Sequence, residues 1–138
     1  IYLFKGEAPL AEFAATQPPL IKMGMKVVGP KMFKEYPYTD AYMFDDARQI
    51  REAVDLPMML LGGIVDRPSI DKAMGAGFDF VAMGRGLLRE PDLPLKLEAD
   101  ERRRSLCVHC NRCMATIYSG SRCVLREYVP PVPARSGS

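Results

Sequence analysis

The chain has 138 residues, a length that fits one domain, and its 48% hydrophobic and 26% charged residues are the balance of an ordinary globular protein. Its formal net charge of +2 is too small to argue for nucleic acid or an anionic membrane surface. No apolar stretch approaches the roughly 20 residues that span a bilayer, no signal peptide is evident, and the chain starts on Ile1 rather than Met. The expectation is an internal or C-terminal piece of a longer protein kept in a reducing, cytoplasmic compartment.

Taken in order, the chain opens on the apolar run Ile1-Tyr2-Leu3-Phe4. Glu7 to Ala15 predicts a short helix with Pro9 in its first turn, ended by Pro18-Pro19. A second apolar segment, Leu20 to Val28, stops at Gly29-Pro30, and Phe33 to Tyr38 reads as loop. From there the periodicity sharpens. Ala47, Ile50, Arg51, Ala53 and Val54 recur at helical spacing and predict a helix over 41–54. Met58 to Leu61, bounded by Pro57 and Gly62-Gly63, has the look of a buried parallel strand. Asp66 as N-cap, Pro68 in the first turn and Gly77 just past the end predict a helix from Arg67 to Ala76. Phe80 to Met83 is a second buried strand, and Gly84-Arg85-Gly86 turns into another helix interrupted by Pro91 and Pro94. The run Arg102-Arg103-Arg104 reads as a solvated face, and the tail after Tyr128 as extended or disordered.

Helix, strand, helix, strand, helix is the α/β signature. Each strand ends in glycine where the chain must turn back, at Gly62-Gly63 and at Gly84. Such glycines are either turn residues alone or a phosphate cradle, where backbone N–H groups approach the anion closely. Arg85 adds a fixed positive fork to the second turn, or serves as a salt-bridge residue.

All four cysteines lie within 17 residues, as Cys107-Val-His-Cys110-Asn-Arg-Cys113 followed by Cys123. Thiolates at turn-compatible spacing suit iron or zinc. Three readings stand side by side: an iron–sulfur cluster, a structural zinc site, and free half-buried thiols. Three cysteines in one row suit the first better than zinc, which favours two separated pairs. His109 inside the loop is either a substitute ligand or a hydrogen-bonding neighbour, and Asn111 and Arg112 are candidate donors to cluster sulfurs.

Leu60-Leu-Gly-Gly-Ile64, Asp79-Phe-Val-Ala-Met-Gly-Arg85, Leu88-Arg-Glu-Pro-Asp-Leu93 and then the cysteines resemble, in order and spacing, the end of the flavin barrel of Old Yellow Enzyme-like NADH:flavin oxidoreductases. The iron–sulfur branch, with 2,4-dienoyl-CoA reductase and trimethylamine dehydrogenase, is the nearest. The resemblance implies the C-terminal portion of a (β/α)8 TIM barrel, about two βα units, followed by a cysteine-rich cluster loop. Residues 1–40 would be an excursion after strand six, 41–100 the last βα units of the FMN barrel, 101–127 the cluster segment and 128–138 a flexible tail. Gly62, Gly63, Gly84 and Arg85 would hold the FMN phosphate. Cys107, Cys110, Cys113 and Cys123 would ligate a [4Fe–4S] relay, with zinc as the alternative. The implied activity takes hydride from NAD(P)H through flavin to an electron-poor alkene or similar small-molecule acceptor. The family's proton donor lies upstream, so no catalytic residue is assigned in this chain. With six strands missing, the chain alone is expected to be inactive and to need self-association or its N-terminal barrel as partner. The gaps of two and nine residues after Cys110 and Cys113 depart from the branch, where the first of these is three and the second slightly longer.

Overall fold

The protein's structure, a computed structural model, describes residues 5–32 and 36–126. The apolar opening Ile1–Phe4, positions 33–35 of the expected loop and the tail 128–138 lie outside the described residues.

Two helices come first, α1 (Leu10–Ala15) and α2 (Pro19–Met32). Pro9 is the N-cap of α1 rather than a residue of its first turn. Pro18-Pro19 does separate two elements, but Pro19 begins α2, where the missing N–H would have had no partner anyway. Gly29-Pro30 does not end α2, which runs on to Met32. Pro30 gives up one hydrogen bond in the last turn, where the ladder is already running out.

The rest follows the predicted order: α3 (Phe44–Ala53), β1 (Met59–Leu61), α4 (Arg67–Gly75), β2 (Phe80–Ala82), α5 (Arg85–Arg89), α6 (Leu93–Ala99) and a 3-10 turn at Arg112–Thr116. β1 and β2 pair in parallel, Leu60 opposite Val81, with α4 as the crossover between them. α4 is set at both ends by local chemistry. Asp66 accepts from the Ser69 N–H at 3.0 Å while the Ser69 hydroxyl reaches back to the Asp66 N–H at 3.3 Å, a reciprocal cap. At the other end Gly77 has φ +85°, and the Phe78 and Gly77 N–H groups donate to Ala73 and Met74 carbonyls. That is the crossed pair of bonds a left-handed glycine allows. Pro94 lies in the first turn of α6, so it opens that helix rather than interrupting one.

The core is one cluster of Leu60, Ala73, Phe78, Ala41, Phe44 and Ile64. Leu60 is 1% exposed, whereas its strand neighbours Met59 and Leu61 are each 55% exposed and Phe80 is 57% exposed. The strands were expected to be buried on both faces. Among the described residues only the Leu60 face is covered, because α3 and α4 pack on that side and register lines up Met59, Leu61 and Phe80 on the other.

The segment leading to the cysteines is tied back onto this unit. Ser105 N–H donates to the Val65 carbonyl at 2.8 Å, and Asp66 and Arg104 form a β-bridge. The arginine run is not simply a solvated face. Arg103 reaches the buried Glu90 carboxylate at 2.6 Å, and Arg104 spans Asp40 at 2.7 Å and Asp66 at 2.8 Å. Arg102 and Arg104 are exposed and Arg103 is half-buried.

Candidate functional site

Parallel strands present their C-terminal ends on the same side, so the turns after β1 and β2 meet. Gly62, Gly63, Gly84 and Arg85 line one cavity of about 340 Å³, and Tyr42 and His109 close it from other segments. The glycines are there for different reasons. Gly62 and Gly63 have φ +103° and +84°. A Cβ on Gly63 would stand 2.8 Å from the Ala41 nitrogen, so the 39–43 turn can pack only against a bare backbone. Gly84 has φ −101°, and a Cβ there would meet no described atom within 4 Å. Among the described residues nothing demands glycine at 84, and a side chain there would take up open space beside the cavity.

The thiols come together at a second cavity. Cys107, Cys110, Cys113 and Cys123 all line it, all half-buried and none in a disulfide. Their convergence is built by three anchors. Glu90, 5% exposed, accepts from the Leu106 N–H and from Arg103, each at 2.6 Å, and from Lys96 at 3.2 Å, which fixes the entry to Cys107. Burial pushes the Glu90 carboxyl up, but these bonds outweigh it and hold it below the usual carboxylate range. Asn111, 1% exposed and left-handed at φ +57°, donates to the Lys5 and Glu7 carbonyls at 3.2 and 2.8 Å. Thr116 spans the nine-residue gap. Its hydroxyl donates to the Cys113 carbonyl at 2.7 Å and accepts from the Arg122 N–H at 3.0 Å, so Cys123 returns beside Cys113. Asn111 and Arg112, expected as donors to sulfur, are engaged elsewhere: Arg112 pairs with Glu12 of α1 at 3.0 Å.

Burial pushes the Cys107 and Cys113 thiols up, and the Arg85 charge pulls both back. The donor set is right for a soft metal, which would displace these protons. Size is another matter. The thiols enclose only about 20 Å³, little more than one water needs. Among the described residues no group of three His, Cys, Asp or Glu side chains is disposed to hold a single ion either. A cubane gives each thiolate its own iron and so spaces the sulfurs more widely than one ion does, but the loop would have to open to admit it. The chemistry of the four donors therefore fits thiolate ligation, and the closed cavity does not yet fit a cubane.

Arg85 stands on both cavities. Its Nη1 donates to the Lys5 carbonyl at 3.2 Å and to the Asn111 side-chain oxygen. His109 lines only the first of the two. It lies in the thiol loop between Cys107 and Cys110, yet its side lines the glycine cavity, where it stacks on Tyr38 with centroids 3.5 Å apart and planes at 17°. Burial, then Arg85 and Arg104, push the imidazole down to about 4, so it is neutral near pH 7. Glu90, Thr116 and Tyr38 were not legible as site residues, since none is a ligand type in the motifs and each acts by holding other segments in place.

No family model matches the chain, and no solved structure matches it. Three characterised proteins do. A 4,4'-dithiodibutanoate disulfide reductase of Rhodococcus erythropolis is 50% identical over 127 residues, 92% of this chain and 32% of that protein. A bilirubin reductase of Mediterraneibacter gnavus is 40% identical over 51% of the chain and 11% of that protein. An NADH oxidase of Thermoanaerobacter brockii is 34% identical over 66% of the chain and 14% of that protein. The chain thus spans about a third of the first and less than a sixth of the other two. Its likeness to the NADH:flavin oxidoreductases, read from glycine turns and cysteines, stands as homology to these three oxidoreductases.

Proposed function

We propose that the chain is the cofactor-phosphate end of an FMN-dependent oxidoreductase whose electrons come from NAD(P)H. The observation that carries this reading is the adjacency of the two cavities: Arg85 lines both, and His109, carried on the loop of the thiols, lines the glycine cavity. The fold reading is that β1 and β2 are the last two strands of a (β/α)8 barrel, with the open Met59, Leu61 and Phe80 face turned to the barrel interior. Gly62, Gly63 and Gly84 would present backbone N–H groups to the FMN phosphate, with Arg85 supplying charge. Cys107, Cys110, Cys113 and Cys123 would hold a [4Fe–4S] cluster. Bound flavin supplies hydride acceptance and the cluster one-electron transfer; the chain's own residues grip, orient and neutralise charge. An electron-poor alkene is the acceptor class the resemblance suggests, and the Rhodococcus relative's name adds a disulfide.

A second reading has zinc at the thiols, holding the loop without carrying electrons. The 20 Å³ enclosed there is closer to an ion than to a cubane, and the thiols would still have to draw together around it, since no described group of three is disposed to hold one ion. One experiment separates the readings: flavin, iron, acid-labile sulfide and zinc content of the protein purified without air. FMN with about four irons and four sulfides per chain supports the first reading. FMN with zinc near one supports the second, and a folded protein without flavin defeats both as oxidoreductase readings.

A further inference from the structure

The thiol loop has two faces. Cys107 and Cys110 line the small cavity, while His109 between them lines the glycine cavity. That inversion comes from the backbone: His109 has φ +57°, a left-handed residue that reverses side-chain direction within a tight loop. The position is held from two sides. The His109 carbonyl accepts from the Glu7 N–H at 3.3 Å, and it lies so close to Gly6 that a Cβ there would be 2.2 Å away. The ring is backed by Tyr38, whose hydroxyl donates to the carbonyl of Gly63 at 3.4 Å. One tyrosine thus sets both the imidazole and the glycine turn across from it.

The cavity, at about 340 Å³, lies at the low end of the roughly 300–1,000 Å³ typical of ligand pockets and is far larger than a phosphate. A ligand gripped by phosphate at the glycine wall would bring the rest of its body against Tyr42 and His109. We propose that His109 is a binding residue for the phosphate-bearing flavin, delivered into its pocket by the thiol loop and backed by Tyr38. This rests on the flavin reading above. Its consequence is that the loop which carries the thiols also builds one wall of the flavin pocket, so a planar group there contributes to flavin affinity directly.

The test is titration of apoprotein with FMN, followed by flavin fluorescence, in the full-length protein. His109→Gly removes the ring and suits φ +57°, so folding is not the expected casualty. The expected result is an FMN dissociation constant raised about tenfold, the scale of one lost aromatic contact plus its buried area. Metal content should stay at the unsubstituted level. Tyr38→Leu, which removes the backing ring, should weaken FMN in the same direction by about threefold. An FMN affinity of His109→Gly within twofold of the unsubstituted protein overturns the assignment. So does parallel loss of metal and flavin, which would mean that His109 acts on the thiol loop and not on the ligand. An unsubstituted protein that binds no FMN at all defeats the flavin reading itself, and this assignment with it.

Discussion

Replacing Glu90 with alanine tests how the cysteine segment is held. The carboxylate is 5% exposed and takes three bonds, from the Leu106 N–H, Arg103 and Lys96. Loss of a buried charged partner costs about 3–5 kcal/mol when the other charge stays buried. Here the Arg103 side chain is 32% exposed, so water recovers part of its solvation and the estimate falls to about 2–4 kcal/mol. Most of the cost is the Leu106 N–H and the Arg103 head left without their shared acceptor. Glu90→Gln keeps one carbonyl oxygen for Leu106 but turns the oxygen that takes Arg103 and Lys96 into an NH2 donor, so about 1–3 kcal/mol is expected, less than for alanine. Urea unfolding reads both: at a slope near 2 kcal/mol per molar, Glu90→Ala should lower the midpoint by about 1–2 M. Thiol labelling gives a local reading, because Cys107 follows Leu106, and its modification should speed up in Glu90→Ala. A midpoint within about 0.3 M of the unsubstituted protein, with unchanged labelling, would show that the carboxylate does not anchor this segment.

Four other outcomes are expected. Glu90 and Asp40 are both held below the ordinary carboxylate range: Glu90 by the bonds that outweigh its burial, Asp40 first by its hydrogen bond from Arg104. A depressed acid stabilises the fold above its unfolded pKa and loses that contribution as pH falls through the folded one, so stability measured by thermal melts should hold to about pH 4 and drop below it. Glu90→Gln and Asp40→Asn should flatten that drop. Gly63→Ala should cost at least about 2 kcal/mol by urea unfolding, since it adds left-handed strain to a 2.8 Å clash with the Ala41 backbone. Gly84→Ala should leave stability within about 0.5 kcal/mol and weaken FMN binding instead, because its Cβ meets no described atom. Thr116→Val should cost about 1–2 kcal/mol and lower metal stoichiometry, because the hydroxyl that returns Cys123 to Cys113 is gone.

Much of the α/β unit is written in local chemistry. Asp66, Pro68 and Gly77 bound α4 because a cap, a preset φ and a left-handed glycine each act within one turn. The apolar runs before Gly62 and Gly84 name β1 and β2 by the same short-range logic. Local rules misread α2, where Gly29-Pro30 breaks a pattern on paper yet costs the helix only one bond near its end. The four thiols, too, were evident as a set from spacing alone.

What the order of residues could not say is which segments those turns would meet. Glu90 stands 16 residues before Leu106, and Arg104 joins Asp40 across 64, so no periodicity marks either pair. The arginine run looked like surface because charge alone does not reveal a carboxylate brought to it by α5 and α6. Arg85 lines two cavities, and His109 reaches the glycine cavity, only because β1 and β2 lie parallel and the thiol loop folds over their ends. The glycine turns and the set of four thiols were therefore determined by the sequence. Tertiary structure decided that they share a wall, because only parallel pairing and long-range hydrogen bonds bring residues 6, 38, 63, 85 and 109 to one place.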